Sequence, residues 1–224
     1  MSGDGREAAE LALEVRALID EMMTVESPPE ALEAAAAGLR TLTERLRASG
    51  GALRGPLTSA PDGDPANFFA FSPVSGASNP VAPPMRVTVS GTTVDATCTF
   101  GKAYEGPPGY VHGAWVAAVF DELLGIANAV GGNPAMTGLL EVRYLQPTPL
   151  GKELRVVGRH TGQSGRKSFA TGEILDGDVV TAEAKGTFIA VTMTRAAELF
   201  GEQLGETNSD VAENPRAAMA NGRD

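Results

Sequence analysis

His112-Gly113-Ala114-Trp115-Val116-Ala117-Ala118-Val119-Phe120-Asp121-Glu122-Leu123-Leu124 is the stretch on which the fold turns. It belongs to an apolar run from Val111 to Val130 that ends at Gly131-Gly132-Asn133-Pro134, residues that stop a helix. The run is too long for an ordinary strand, and it is apolar nearly all round, as expected of a helix wrapped by a sheet. Asp121 and Glu122 stand in its middle. Burying a carboxylate ion there is unfavourable unless it is paired or hydrogen-bonded, and aspartate is a poor residue for a helix interior. Glu122 is expected to point to solvent at the helix edge. Asp121 is expected to be buried, and to be kept for a reason other than stability.

Working outward, the preceding segment reads Glu105-Gly106-Pro107-Pro108-Gly109-Tyr110-Val111. It predicts a tight approach to a helix N-terminus, where unpaired N–H groups and the helix dipole favour negative charge. Gly113 would let a ligand come close to the backbone. On the far side, strands are predicted near 136–145, 152–161, 166–175 and 179–191. Pro147–Gly151, Gly162–Gly165 and Asp176-Gly177-Asp178 supply the turns between them. Upstream, Val87 and Val89, then Val94, Ala96, Cys98 and Phe100, alternate with polar neighbours at strand period. Strands, one buried helix and an antiparallel meander make an α+β domain over residues 85–195.

Residues 1–48 predict a helical hairpin extension, with apolar residues at helical spacing at Leu11, Val15, Leu18 and Met22 and again at Leu32, Leu39, Leu42 and Leu46. Ser27-Pro28-Pro29-Glu30 between them reads as a capping box, with Pro28 at the first helical position. Residues 49–84 are a Pro/Gly-rich linker interrupted by Phe68, Phe69 and Phe71. These rings are expected to dock the linker on the core; the sharper alternative is a lid over an apolar pocket. Residues 196–224 are expected to form a short helix and a disordered polar tail.

Composition narrows the function classes. A formal charge of −10 argues against nucleic acid and against an anionic membrane surface. One cysteine, Cys98, excludes an internal disulfide framework, and with two histidines it offers no recognisable metal site. No uninterrupted apolar stretch approaches the ~18 residues of a membrane-spanning helix, and the acidic N-terminus lacks a signal-peptide pattern. A cytoplasmic protein is expected. No GxGxxG, P-loop or GxSxG motif is present.

His112 and Asp121 lie nine positions apart, which is ~13 Å along one helix at 1.5 Å per residue. If both act on one carbonyl they must come from two subunits, so a site at a two-fold interface and a homodimer are expected.

A Val-His-Gly loop end, then a small apolar helix with aspartate nine residues past the histidine, resembles the hotdog-fold acyl-CoA thioesterases of the PaaI-like branch. Val142-Arg143-Tyr144-Leu145-Gln146-Pro147-Thr148-Pro149-Leu150-Gly151 resembles the strand and turn that follow that family's helix. The likeness covers about Pro80 to Val191. It implies a hotdog fold, an antiparallel sheet wrapped around a long central helix, and hydrolysis of an acyl-CoA to free acid and CoA. It further implies Asp121 as nucleophile or as base toward water, the Gly113 N–H as the group polarising the thioester carbonyl, and His112 shaping that pocket. It adds Thr137 as a hydroxyl that orients water. Two departures stand out: Ala114 replaces a second glycine, and Gly106 occupies a position where some members carry Asn or Gln, with Glu105 the nearest polar group.

CoA carries phosphates, and Arg159, Arg166 and Lys167 flank one hairpin turn; a phosphate site and a merely solvated hairpin are equally good readings. His160 has no partner at catalytic spacing, and Cys98 is expected to pack rather than react. The substrate is itself the CoA thioester, so no cofactor is expected, and assembly as a dimer or a dimer of dimers is. Two readings compete: a hotdog hydratase or dehydratase, which would want His and an acid paired in one site, and a non-catalytic acyl-CoA binder, which would not need Asp121.

Overall fold

The computed structural model describes residues 4–51, 70–133 and 135–191. In chain order these form α1 (Asp4–Thr24), α2 (Pro29–Ala48), β1 (Met85–Ser90), β2 (Thr93–Thr99), a 3-10 turn at Lys102–Tyr104, α3 (Gly113–Val130), β3 (Ala135–Tyr144), β4 (Glu153–Ser164), β5 (Lys167–Asp176) and β6 (Val179–Ala190). The six strands make one antiparallel sheet in the order β1-β2-β4-β5-β6-β3. β3 follows α3 directly in sequence yet crosses to the outer edge beside β6, so the chain passes the helix across the whole sheet. This is the hotdog arrangement, with α3 as its filling.

Alternation builds the wrap. β2 buries Val94, Ala96 and Cys98, and β4 buries Leu154 and Val156; β5 and β6 add Ala170, Ile174, Ala182, Ala184 and Phe188. Against them α3 sets Val116, Val119, Phe120, Leu123, Leu124 and Ala127. The helix lies close because Gly158 and Gly172, paired across β4 and β5, carry no side chain. A Cβ on Gly158 would stand 3.2 Å from the Leu123 carbonyl oxygen, and one on Gly172 3.0 Å from Leu124 Cδ2. By length and a mean hydropathy of 1.4 α3 could cross a bilayer; here its apolar face is spent on the sheet.

The start of α2 differs from expectation by one residue. Its N-cap is Pro28, extended at ψ 151°, its first helical residue is Pro29, and no side chain caps it. Proline disfavours helical backbone in the residue before it, so Pro29 keeps Pro28 out of the helix and Ser27 is too far back to cap. Nor do the helices share a buried seam: every residue of α2 is exposed. The predicted leucine stripe of α2 therefore faces solvent in the isolated chain, with Leu32, Leu42 and Leu46 all at 41% exposure or more.

α1 docks instead on the loop that precedes β1. The Arg16 guanidinium donates to the carbonyl oxygens of Ala82 (2.9 Å), Ala77 (2.8 Å), Asn79 (2.8 Å) and Gly76 (3.2 Å). Asp20 Oδ1 accepts the Lys102 N–H at 3.0 Å. The described part of the linker, 70–84, is thus a docked loop that buries Ser78 and Ala82. Phe71 is half-buried within it. Phe68 and Phe69 lie outside the described residues, as do residues 192–224 with the expected short helix and tail.

Candidate active site

The 3-10 turn and the loop after it aim α3. Glu105 Oε1 accepts the Gly109 N–H at 2.8 Å and Oε2 pairs with Lys102 Nζ at 2.5 Å. That N–H bond first, and the ammonium second, hold the Glu105 carboxyl below the usual carboxylate range. Glu105 is therefore engaged in shaping the loop. Gly106 is required there by space: a Cβ would meet His112 Cα at 2.8 Å. Val111 N–H donates to the Thr148 carbonyl and His112 N–H to the Tyr104 carbonyl, both at 2.8 Å. The last two residues before the helix are thereby tied to two other segments.

His112 is the N-cap of α3. Its Nδ1 accepts the Ala114 N–H at 3.1 Å, which leaves the ring proton on Nε2 in the neutral form. Its carbonyl takes the N–H groups of Trp115 (2.9 Å) and Val116 (3.4 Å). With the His112 N–H on the Tyr104 carbonyl and those of Ala114 and Trp115 on His112, three of the four N–H groups that a helix start leaves over are satisfied. The fourth, on Gly113, has no acceptor among the described residues. It stands in the wall of a cavity of about 380 Å³ that Tyr110, Val111, Val116, Tyr144, Leu145 and Pro147 also line. A single unfilled donor at a positive helix end, beside an apolar cavity, suits a polarised carbonyl oxygen or oxyanion.

Tyr144 escaped notice in the sequence as a site residue. It closes β3, and its Oη donates to the Gly113 carbonyl at 2.9 Å. Its position inside the Tyr-Leu-Gln-Pro run was visible, but a contact reaching back across 31 residues leaves no periodic signal.

The acids trade places relative to expectation. Asp121 is exposed in the single chain and has no hydrogen-bond or ion-pair partner among the described residues. Glu122 is half-buried and accepts a hydrogen bond from Ser75 Oγ of the docked loop. The cause is the 100° step between neighbours on a helix: the loop 70–84 covers the face that carries Glu122, and the face that carries Asp121 is left open. That open face is otherwise small, with Ala114 exposed and Ala117, Ala118 and Gly125 half-exposed. Asp121 lies eight residues beyond Gly113, ~12 Å along the axis, so within one chain the carboxylate and the unfilled N–H cannot meet on one carbonyl. Thr137 sits exposed near the start of β3, at a bulge where pairing with β6 shifts between Thr137 and Leu139.

The three basic residues do not form one cluster. Arg159 pairs with Glu173 at 3.6 Å, ~15 Å along β4 from the hairpin tip. Arg166 and Lys167 stand at that tip, exposed and with no carboxylate partner among the described residues; Arg166 donates to the Ala190 carbonyl at 3.2 Å. His160 is half-buried, with Nε2 3.1 Å from Ser168 Oγ. Cys98 is 1% exposed, and burial pushes its thiol up to about 12. No cluster of three metal-binding side chains occurs among the described residues.

A thioesterase superfamily model matches residues 108–185, which begins in the loop before α3 and ends in β6. A crystal structure described as a thioesterase superfamily protein is 31% identical, with a TM-score of 0.73 over 81% of this chain and 90% of its own. Its coverage reaches well beyond the sheet and central helix. Acyl-coenzyme A thioesterase THEM4 of Xenopus laevis is 33% identical over 96 residues, 41% of this chain and 43% of that protein. The chain thus spans less than half the length of that relative. The PaaI protein of E. coli has a TM-score of 0.45 at 15% identity over 48% of this chain and 80% of its own.

Proposed function

The chain belongs to the thioesterase superfamily, and from that premise we propose that it hydrolyses an acyl-CoA thioester to the free acid and CoA. The observation that carries this reading is the unfilled Gly113 N–H at the start of α3, with every neighbouring donor already satisfied. A thioester carbonyl set on that N–H gains most as its oxygen becomes negative, so the donor favours the tetrahedral species over the bound substrate. Asp121 supplies the complementary chemistry, either taking a proton from the attacking water or attacking the carbonyl carbon itself. Thr137 offers a hydroxyl to orient that water. The thiolate of CoA is then expelled.

The ~12 Å between Gly113 and Asp121 requires that the two act from different subunits. A dimer is supported by two further features. β3 is an edge strand exposing Met136, Leu139 and Tyr144, with Leu145 exposed just past its end, and the uncovered face of α3 is lined by alanine and glycine around Asp121. An unpaired apolar strand edge invites pairing, and small side chains permit close helix approach. Arg166 and Lys167 are available to CoA phosphates, while Arg159 is already paired with Glu173.

The test is thiol release from short-, medium- and long-chain and aryl acyl-CoAs, comparing wild type with Asp121→Asn and Asp121→Ala. Asn keeps shape and volume but neither accepts a proton nor attacks well, so both variants should lose at least about 100-fold in kcat while remaining folded. Absence of thiol release by the wild type across the panel defeats the hydrolase reading. Unchanged turnover in Asp121→Asn removes the carboxylate from it.

A further inference from the structure

We infer that Tyr144 is a positioning residue for the Gly113 donor, an inference that rests on the thioesterase reading of that site. Gly113 is the one residue at the start of α3 whose N–H is left without an acceptor, and as a glycine it resists backbone rotation least. A donor of this kind helps catalysis only if it is held outward before substrate arrives, since reorientation during the reaction would consume the advantage. Tyr144 supplies the restraint twice. Its hydroxyl donates to the Gly113 carbonyl at 2.9 Å, and its ring stands against the bare Cα, with Cε1, Cζ and Oη each 3.4 Å from where a Cβ would be.

The tyrosine is itself anchored. The next two residues, Leu145 and Gln146, donate their N–H groups to the Thr181 carbonyl at 2.9 and 3.0 Å. Thr181 Oγ1 donates to the Ile174 carbonyl and accepts from Thr148 Oγ1, and the Thr148 carbonyl accepts the Val111 N–H. The end of β3 and the start of α3 are therefore stitched into one frame, and the phenol bridges its two sides. Tyr144 is 55% exposed in the single chain, and Tyr144→Phe keeps the ring that packs on Gly113, so the loss of the hydroxyl is read at Gly113 with folding followed separately.

Tyr144→Phe keeps the ring and removes the bridge. With the acyl-CoA that the wild type turns over best, kcat should fall about tenfold as the Gly113 donor loses its alignment on the transition state, with KM within about twofold. The thermal midpoint should stay at the wild-type value. Independently of turnover, the Gly113 amide, the donor itself, should shift in the 15N–1H spectrum of deuterated protein. The core resonances of the sheet should not. Wild-type kcat in Tyr144→Phe, a loss that falls on KM instead, or an unmoved Gly113 resonance overturns the inference. If neither protein releases thiol, the acyl-CoA reading fails and the Gly113 resonance alone decides whether Tyr144 positions Gly113.

Discussion

His112 carries two duties that one substitution can separate. Its Nδ1 caps α3 through Ala114, and its carbonyl satisfies Trp115 and Val116. His112→Ala should cost about 1 kcal/mol of stability, the usual cost of losing a side-chain cap, read from urea unfolding. His112→Asn, which restores a capping oxygen, should recover most of it. Glu105 makes a second residue-scale prediction, with its sign fixed by the depressed carboxyl. The Gly109 N–H and Lys102 favour the ionised form, so its contribution is present in full above the unfolded value near 4.5 and disappears as pH falls through the lower folded value. The stability gap between wild type and Glu105→Gln, measured as urea midpoints, should be widest at neutral pH and close below 4.5. A gap that persists undiminished at the acid end would mean that the charge on Glu105 does nothing for the loop.

Elements divide by how local their causes are. The central helix, its stop at Gly131 and the meander with its Gly-bearing turns were legible in the sequence because periodicity and turn chemistry act within a few residues. The burial expected of Asp121 was not legible, because the sequence could not say which face of α3 the loop 70–84 would cover, and the structure leaves Asp121 exposed in the single chain. The same limit hid Arg16, whose acceptors lie 60–66 residues away, and the polar corner where α3 meets β3. In that corner Asn128, fully buried, donates to the Asn133 carbonyl and accepts from Ser168 Oγ, with His160 on the far side of the serine. A lone asparagine in an apolar helix gives no hint of partners on β4 and β5. The corner sets where the helix ends and β3 begins, and so where Thr137 stands relative to Asp121. Asn128→Ala takes one acceptor from the Ser168 hydroxyl, which keeps His160 and the Gly162 carbonyl, and the side-chain donor from the Asn133 carbonyl, and it should cost roughly 1–3 kcal/mol in urea unfolding. A loss below about 1 kcal/mol would show that water or rearrangement replaces the network.

For the molecule as a whole, the ~12 Å between Gly113 and Asp121 separates two models of the site that no single variant can distinguish. In the proposed dimer each site takes its N–H from one subunit and its carboxylate from the other. Gly113→Pro removes the donor and sets a ring in its place, with a Cβ 3.4 Å from Tyr144: it falls at the first position of α3, where proline is tolerated, and His112 at ψ 133° already has the extended backbone that a following proline demands. Asp121→Ala removes only the acid. Each homodimer has two defective sites. When the two proteins are unfolded together, mixed in equal amounts and refolded, half the dimers are hybrid. In each hybrid one site unites an intact Gly113 with an intact Asp121, and the other site has neither. Activity should therefore return to about one quarter of wild type, from a mixture of two inactive proteins. If donor and acid instead served a site within one chain, every chain would still carry one lesion and the mixture would stay inactive. An assembly of two such dimers gives the same quarter, because each site still draws its donor and its acid from two chains assorted at random.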